Sequence, residues 1–176
     1  LGLDLQGGSY LLLEIDNEPV VVKNLQNKAT LFKNYFKEKK IKLFNLRVTD
    51  TKIISFNVDA KDVENTNELL EDKEEGVNPY YERFKTYQYD VVLEGNKFEL
   101  KLSKYGLVLL KNASLDQAIE IVRRRVDEIG TNEPNILKRG NDRILVELPG
   151  LDDPMRIKNL LGKTANLAFR FVSKSS

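Results

Sequence analysis

The 176-residue sequence predicts an α+β fold with one β-α-β-β-α-β unit in each half. Strand-like and helix-like hydrophobic periods alternate in that order over residues 9–94 and again over residues 97–172. An offset of 91 residues superimposes residues 44–70 on residues 135–161, so that strand, turn, strand and helix coincide. These observations predict a tandem ferredoxin-like pseudo-repeat, with the helices on one face of each antiparallel sheet.

In the first half, an apolar strand is followed by an amphipathic helix, two strands around a short turn, a weaker helix and a fourth strand. The third strand shows the clearest pattern, because Ile54, Phe56 and Val58 alternate with polar residues. The amphipathic helix has lysines opposite an apolar face of Val21, Leu25, Leu31, Phe32, Tyr35 and Phe36. The predicted ranges are 10–15, 20–39, 42–48, 52–58, 61–71 and 87–94.

The second half begins after Gly95-Asn96, a dipeptide typical of a two-residue hairpin. Its first helix is predicted over residues 114–130, since Ser114 and Gln117 form a capping-box pattern and Gly130 is a suitable C′ residue. A second helix is predicted from Asp153, an N-cap, with Pro154 at N1. The remaining predicted strands cover residues 97–103, 135–139, 142–148 and 166–172, with a Gly140-Asn141 turn between the middle two.

Composition excludes several kinds of catalytic site. The chain contains no Cys, His or Trp, so it has no thiolate or imidazole metal ligand, no Cys nucleophile and no Ser-His relay. Its net charge of +1 provides no overall attraction to nucleic acid or anionic lipid. The apolar runs are far shorter than the roughly 20 residues of a membrane helix, and no signal peptide is visible. We therefore expect a non-enzymatic domain without a cofactor or metal.

Two charged clusters in the sequence are candidate binding sites. The triplet Arg123, Arg124 and Arg125 is the densest basic feature, but Glu120, Asp127 and Glu128 lie four residues from its members. We interpret it as a solvated helix face that could contact a protein, and we expect no nucleic-acid binding. The adjacent acids Asp152 and Asp153 are better explained by helix capping than by metal ligation.

Two stretches together resemble the SecD family of bacterial protein export. The first is LGLDLQGG at residues 1–8, followed by an apolar strand. The second covers residues 121–172 and contains the arginine-rich helix, a glycine turn, the Gly140-Asn141 hairpin, VELPG at 146–150 and a closing strand. Residues 17–113 carry only the pattern of elements. The glycines of the first stretch lack dinucleotide-binding spacing and precede a strand, so a phosphate site is not indicated.

The resemblance implies a segment of a larger membrane protein. Residues 1–8 would form a joint after a first transmembrane helix, residues 9–94 and 97–172 the base of a periplasmic domain, and residues 173–176 the start of an inserted head. In the inner membrane, the implied partners are SecF, the SecYEG channel, YajC and a translocating preprotein, with translocation assisted by the proton gradient. The motif residues expected to matter structurally are Gly2, Asp4, Gln6, Gly7, Gly8, Pro149 and Gly150.

One different function remains open at this point. Tandem ferredoxin-like domains of the amino-acid-binding kind hold a small ligand between repeats and act as regulators, so a ligand-sensing domain is the alternative prediction. Binding of amino acids or nucleotides would favour that alternative, whereas contact with a secretory preprotein would favour the export role.

Overall fold

The computed structural model describes residues 8–130, 133–149 and 169–171, together with Met155, Asn159 and Leu161. The chain divides into a discontinuous unit, Leu1–Asn17 with Lys111–Ser176, and a continuous unit, Glu18–Leu110. The elements in chain order are β1 (Gly8–Ile15), α1 (Asn17–Glu38), β2 (Phe44–Val48), β3 (Ile53–Asn57), α2 (Val63–Glu71), β4 (Tyr80–Tyr81), β5 (Thr86–Tyr87), β6 (Tyr89–Glu94), β7 (Lys97–Leu102), α3 (Lys104–Ile129), β8 (Asn135–Arg139), β9 (Arg143–Pro149) and β10 (Phe169–Phe171).

The discontinuous unit contains an antiparallel sheet in the order β10-β1-β9-β8. Leu13 lies opposite Ile144, and Leu11 lies opposite Val146, so apolar side chains line up on one face. The last turns of α3 and Leu161, which is helical, pack on this face. Its core consists of Leu13, Ile15, Leu115, Ala118, Ile119, Val122, Val126, Ile144, Val146, Leu148 and Leu161.

The continuous unit has its own antiparallel sheet in the order β2-β3-β7-β6, and a two-stranded ribbon of β4 and β5. Phe56 lies opposite Phe98, with the two rings stacked at 5.4 Å, and Ile54 lies opposite Leu100. Helices α1 and α2 contribute the other side of this core. The buried residues are Val21, Leu25, Ala29, Phe32, Phe36, Ile41, Ile54, Phe56, Val58, Leu70, Val77, Tyr89, Phe98 and Leu100.

The α+β class with antiparallel sheets is confirmed, but the strands are distributed differently from the predicted consecutive repeats. β1 pairs with β9 and β10 of the second half, and β7 pairs with β3 and β6 of the first half. The first strands of the two predicted repeats are thus exchanged, and the compact units differ from the predicted ranges 9–94 and 97–172. The alternation of apolar and polar residues predicts which side chains of a strand face a core, but it does not predict which other strand pairs with it.

The two segments that the predicted repeat superimposes need a corrected register in the structure. Strands β2 and β8 begin at residues 44 and 135, as the 91-residue offset predicts. In the next strand, however, the buried residues Ile54, Phe56 and Val58 correspond to Ile144, Val146 and Leu148, an offset of 90. The 91-residue offset aligns Ile53, which is half-buried, with Ile144, which is buried. The alignment is therefore wrong by one residue in this strand, since a shift of one residue moves a side chain to the other face of the sheet.

Helix α1 confirms the predicted amphipathic helix and corrects one residue of its apolar face. The buried stripe comprises Val21, Leu25, Ala29, Phe32 and Phe36, at spacings of three and four residues. Leu31 was predicted on this face but is 49% exposed, since it lies one position before the stripe residue Phe32. Tyr35 is half-buried and packs edge-on against Phe36 at 5.2 Å.

Helix α3 begins ten residues before the predicted start. Ser114 therefore lies inside the helix and is not its N-cap. Ser103 precedes the first helical residue, and its hydroxyl accepts a hydrogen bond from the Gly106 amide at 3.0 Å, which is the N-cap geometry. The predicted end is confirmed, because Gly130 follows α3 with a φ of +73°.

Both Gly-Asn turns are confirmed as hairpins. Gly95 has a φ of +62° between β6 and β7, and Gly140 has a φ of +64° between β8 and β9. The predicted helix from Asp153 begins outside the described residues, although Met155, Asn159 and Leu161 are helical. Within the described ranges, no helix is both long and apolar enough to cross a membrane.

Candidate functional site

The two sequence motifs that were predicted to belong together meet in one sheet. The strand that follows LGLDLQG is β1, and VELP forms the end of β9. Gly8 lies opposite Pro149, Ser9 opposite Leu148, and Leu11 opposite Val146. The strand that follows the first motif and the strand that contains VELP, about 140 residues apart in sequence, are therefore the two central, hydrogen-bonded strands of the discontinuous unit. Gly2, Asp4, Gln6, Gly7 and Gly150 lie outside the described residues.

The Gly8-Pro149 pair occupies the end of this ladder. Proline has no N–H, so it cannot donate to a neighbouring strand, and its position at the last residue of β9 satisfies that restriction. Two residues further in, Tyr10 lies opposite Glu147. Burial and the Glu147 carboxylate both raise the pKa of the Tyr10 hydroxyl, so it remains a neutral hydrogen-bonding group at physiological pH.

The arginine triplet lies on the outer surface of α3. Arg123 and Arg124 are exposed, and Arg125 is half-buried. In the described part of the chain the triplet forms one ion pair, between Arg125 and Glu128 at 3.4 Å, and not the three predicted pairs at a spacing of four residues. Such an exposed pair contributes about 0–1 kcal/mol. Arg123 and Arg124 form no ion pair with another described residue, so their charges lie exposed on the helix surface.

The acidic side chains of the described residues do not form a metal site. No group of three or more acidic side chains converges in a ligating arrangement among the described residues, and Asp152 and Asp153 are outside that set. The acidic run that begins at Glu71 instead organises a loop. The Asp72 carboxylate accepts hydrogen bonds from the amides of Glu74 and Glu75, at 3.0 and 3.3 Å.

An aromatic cluster joins the segment between α2 and β6 to the first turn of α3. Phe84 and Tyr105 are 4.0 Å apart between ring centroids, and Tyr81 meets Tyr105 edge-on at 5.2 Å. Burial raises the pKa of Tyr81, and Tyr105 adds to the rise. Phe84 is 49% exposed, so the cluster combines a packed base with one accessible ring.

A second surface was missed by sequence reasoning. Where α1 ends, four lysines and two apolar residues surround a cavity of about 560 Å³, lined by Lys33, Lys37, Lys40, Ile41, Lys42 and Leu43. Composition could have revealed it, because residues 17–43 contain seven lysines against two glutamates in a chain whose net charge is only +1. The overall charge concealed this local excess.

Comparisons with known proteins assign the family. The family model described as "Protein translocase subunit SecDF, P1 domain, N-terminal" matches residues 115–174. The chain is 35% identical to a protein translocase subunit SecD of Rickettsia felis over 178 aligned residues, which cover 100% of this chain and 32% of the relative. The chain belongs to the SecD family.

Other SecD relatives extend the match beyond one lineage. The SecD protein of Acetobacter pasteurianus is 36% identical over 99% of this chain and 33% of its own length. The SecD protein of Pseudomonas aeruginosa is 30% identical over 99% of this chain and 27% of its own length. The chain therefore spans about a third of the curated SecD proteins that it matches, and the match includes the continuous unit, where the sequence resemblance had rested on element order.

Proposed function

We propose that this chain is the base of the first extracytoplasmic domain of a SecD subunit and assists protein translocation without catalysing a reaction. The similarity to protein translocase subunits over the whole chain carries the proposal. The paired motif strands β1 and β9 support it, because they build the core of the discontinuous unit from the stretches that resemble the family. SecF, YajC, the SecYEG channel and a preprotein are the proposed partners, and the proton gradient is the proposed energy source.

Photo-crosslinking tests this function in the full-length SecD complex. A photoreactive residue replaces exposed Leu31, Phe84 or Val92 in turn, and a secretory preprotein is stalled during export. We expect crosslinks to the preprotein from at least one position, and their loss when no preprotein is stalled. We also expect an export defect when residues 9–172 are deleted. Absence of both the crosslinks and the defect would overturn the proposal.

The glycine-rich motif belongs to the same proposal as a joint between the membrane and β1. Gly8 starts β1 opposite Pro149, which favours a fixed geometry at this end of the sheet. Alanine at a glycine that needs a special backbone conformation destabilises the fold. We expect Gly7→Ala and Gly8→Ala to reduce export in vivo or the urea midpoint of the chain. Unchanged values of both would remove the joint from the proposal.

A further inference from the structure

The end of α1 builds a basic cavity in the continuous unit. The Lys40 amide donates to the Lys37 carbonyl at 3.0 Å, and the Ile41 amide donates to the Phe36 carbonyl at 2.8 Å. This pair of bonds is a Schellman motif, which normally has glycine at the position of Lys40. Lys40 has a φ of +60°, so a charged side chain is held in a backbone conformation that favours glycine.

The cavity combines an apolar floor with a cationic rim. Ile41 is only 2% exposed, so the accessible apolar surface comes mainly from half-buried Leu43 and from the methylene stems of the four exposed lysines that line the cavity. The Lys42 ammonium lies 4.9 Å from the centroid of the Phe44 ring. None of the four lysines forms an ion pair with an acidic group in the parts of the chain that the structure describes. Within the described residues, no acidic side chain therefore neutralises their charges.

These features define the chemistry of an occupant. Repulsion among four like charges around one cavity is relieved by an anion, and the floor offers apolar contact. A volume of about 560 Å³ accommodates a few side chains, and a concave site does not fit a flat membrane surface. The rim contains lysine and no arginine, which suits adaptable contacts to carboxylates better than a fixed bidentate geometry.

We infer that this cavity, the α1 cavity, binds short acidic and apolar segments of an extended polypeptide. The inference rests on the proposed function, since a preprotein in transit is an unfolded chain. It assigns to the continuous unit a transient, charge-dependent contact with that chain. Lysine contacts at exposed sites are individually weak, so binding is readily reversed and accepts many sequences.

Fluorescence anisotropy with the purified chain tests the inference directly. The probe is a short labelled peptide in which glutamate and leucine alternate. We expect saturable binding that weakens with added NaCl, because salt screens exposed charges. We expect much weaker binding when glutamine replaces the glutamates, and also when serine replaces the leucines. A glutamine peptide that binds as tightly as the glutamate peptide would overturn the inference.

Matched variants locate the binding surface. The test variant combines Lys33→Gln, Lys37→Gln, Lys40→Gln and Lys42→Gln, and the control combines Lys23→Gln, Lys61→Gln, Lys101→Gln and Lys104→Gln, which are exposed lysines of the same unit outside the cavity. We expect the test variant to lose about tenfold or more in affinity, and the control to lose little. Equal losses would overturn the inference. A Lys33→Glu and Lys37→Glu variant, which leaves Lys40 unchanged, provides the same test if the first variant fails to fold.

Three further outcomes separate this inference from its rivals and from the proposed function. Binding to phosphatidylglycerol vesicles that requires the cavity lysines, without binding to the peptide, would replace the polypeptide by a lipid surface and overturn the inference. Preprotein crosslinks in the full complex, together with no peptide binding to the chain, would remove the α1 cavity and leave the proposed function standing. Absence of crosslinks and of an export defect would remove the proposed function even if the peptide binds.

Discussion

Asn78 is a buried polar side chain that joins the loop after α2 to the start of β6. Its exposed fraction is 1%, and its amide group makes three hydrogen bonds. The side-chain NH₂ donates to the carbonyls of Leu70 and Tyr89 at 3.4 and 3.1 Å, and its oxygen accepts from the Tyr89 amide at 2.9 Å. Leu70 lies in the last turn of α2, where carbonyls lack partners within the helix. One side chain thus satisfies backbone groups of two elements.

Replacement of Asn78 by alanine should destabilise the chain strongly. Asn78→Ala leaves the Tyr89 amide and carbonyl and the Leu70 carbonyl without these bonds in a buried place, which costs about 2–4 kcal/mol. The free energy of unfolding in urea, followed by circular dichroism, measures the loss. Asn67→Ala is the control, because Asn67 bonds only to exposed Glu71 and should change stability by about 0.5 kcal/mol or less. Equal losses would contradict the role assigned to Asn78.

Tyr89 should make the fold less stable at alkaline pH. Burial raises the pKa of its hydroxyl well above the ordinary tyrosine value of about 10, and nearby Tyr81 adds to the rise. Above pH of about 10 the unfolded chain releases this proton while the folded chain retains it, so stability falls as pH increases. We expect Tyr89→Phe to reduce the slope of unfolding free energy against pH by up to about 1.4 kcal/mol per pH unit.

Lys28 provides a control, because its titration should change the stability of the fold with pH in the opposite direction to that of Tyr89. Its ammonium lies 5.7 Å from the Tyr89 ring centroid, and burial lowers the pKa of Lys28. As pH rises toward the ordinary lysine value of about 10.4, the folded chain releases this proton first, so stability increases. Lys28→Met should therefore steepen the alkaline decline that Tyr89→Phe reduces. Identical pH slopes in the two variants would exclude this interpretation of both groups.

At the scale of elements, Ser103 and Ser114 are the two candidates for the N-cap of α3, one from the structure and one from the sequence. Ser103 is buried, donates to the Tyr87 carbonyl at 2.6 Å and accepts the Gly106 amide at 3.0 Å. We expect Ser103→Ala to cost about 1–2 kcal/mol of unfolding free energy. Ser114→Ala should change it by only about 0.5 kcal/mol, because alanine is the better helix former inside a helix. A larger loss for Ser114→Ala, measured by urea unfolding, would restore the cap that sequence predicted.

Local signals explain which elements could be predicted from sequence. The hairpins at Gly95 and Gly140 were predicted because their left-handed backbone demands a particular residue type. The first ten residues of α3 were missed, since the strand signal of β7 runs directly into them and Gly106 and an apolar run weaken the helical period. The α1 cavity was missed for another reason. The net charge of +1 conceals the lysine excess of residues 17–43, and Lys40 adopts a left-handed conformation that sequence patterns assign to glycine.

At the scale of the whole molecule, the exchange of β1 and β7 is the feature that sequence could not supply. In both sheets the exchanged strand occupies an inner position: β1 between β10 and β9, and β7 between β3 and β6. Each strand directs alternate apolar residues into its core, Leu13 and Ile15 from β1 and Phe98 and Leu100 from β7. The strand propensity and the alternation of apolar residues are the same whether β1 and β7 are exchanged or not. The choice between the two arrangements therefore depends on contacts between residues far apart in sequence.

The exchange predicts which fragments fold independently. A fragment of residues 18–110 retains every strand of its sheet and the whole of its core, including Phe98 and Leu100 of β7. A fragment of residues 9–94, which is the repeat predicted from sequence, lacks both of those buried side chains and leaves β1 without β9 and β10. Loss of two such side chains costs at least about 4 kcal/mol in total, against a typical domain stability of about 5–15 kcal/mol.

We therefore expect cooperative urea unfolding and dispersed amide resonances for residues 18–110, and neither property for residues 9–94. A third fragment, residues 18–94, separates the effect of the missing β7 from that of the unpaired β1, because it omits both strands. This fragment should also show no cooperative unfolding, because β7 lies between β3 and β6 in the sheet and pairs with both. Cooperative folding of residues 9–94, together with failure of residues 18–110, would show that β1 belongs to the first half and would reject the strand exchange.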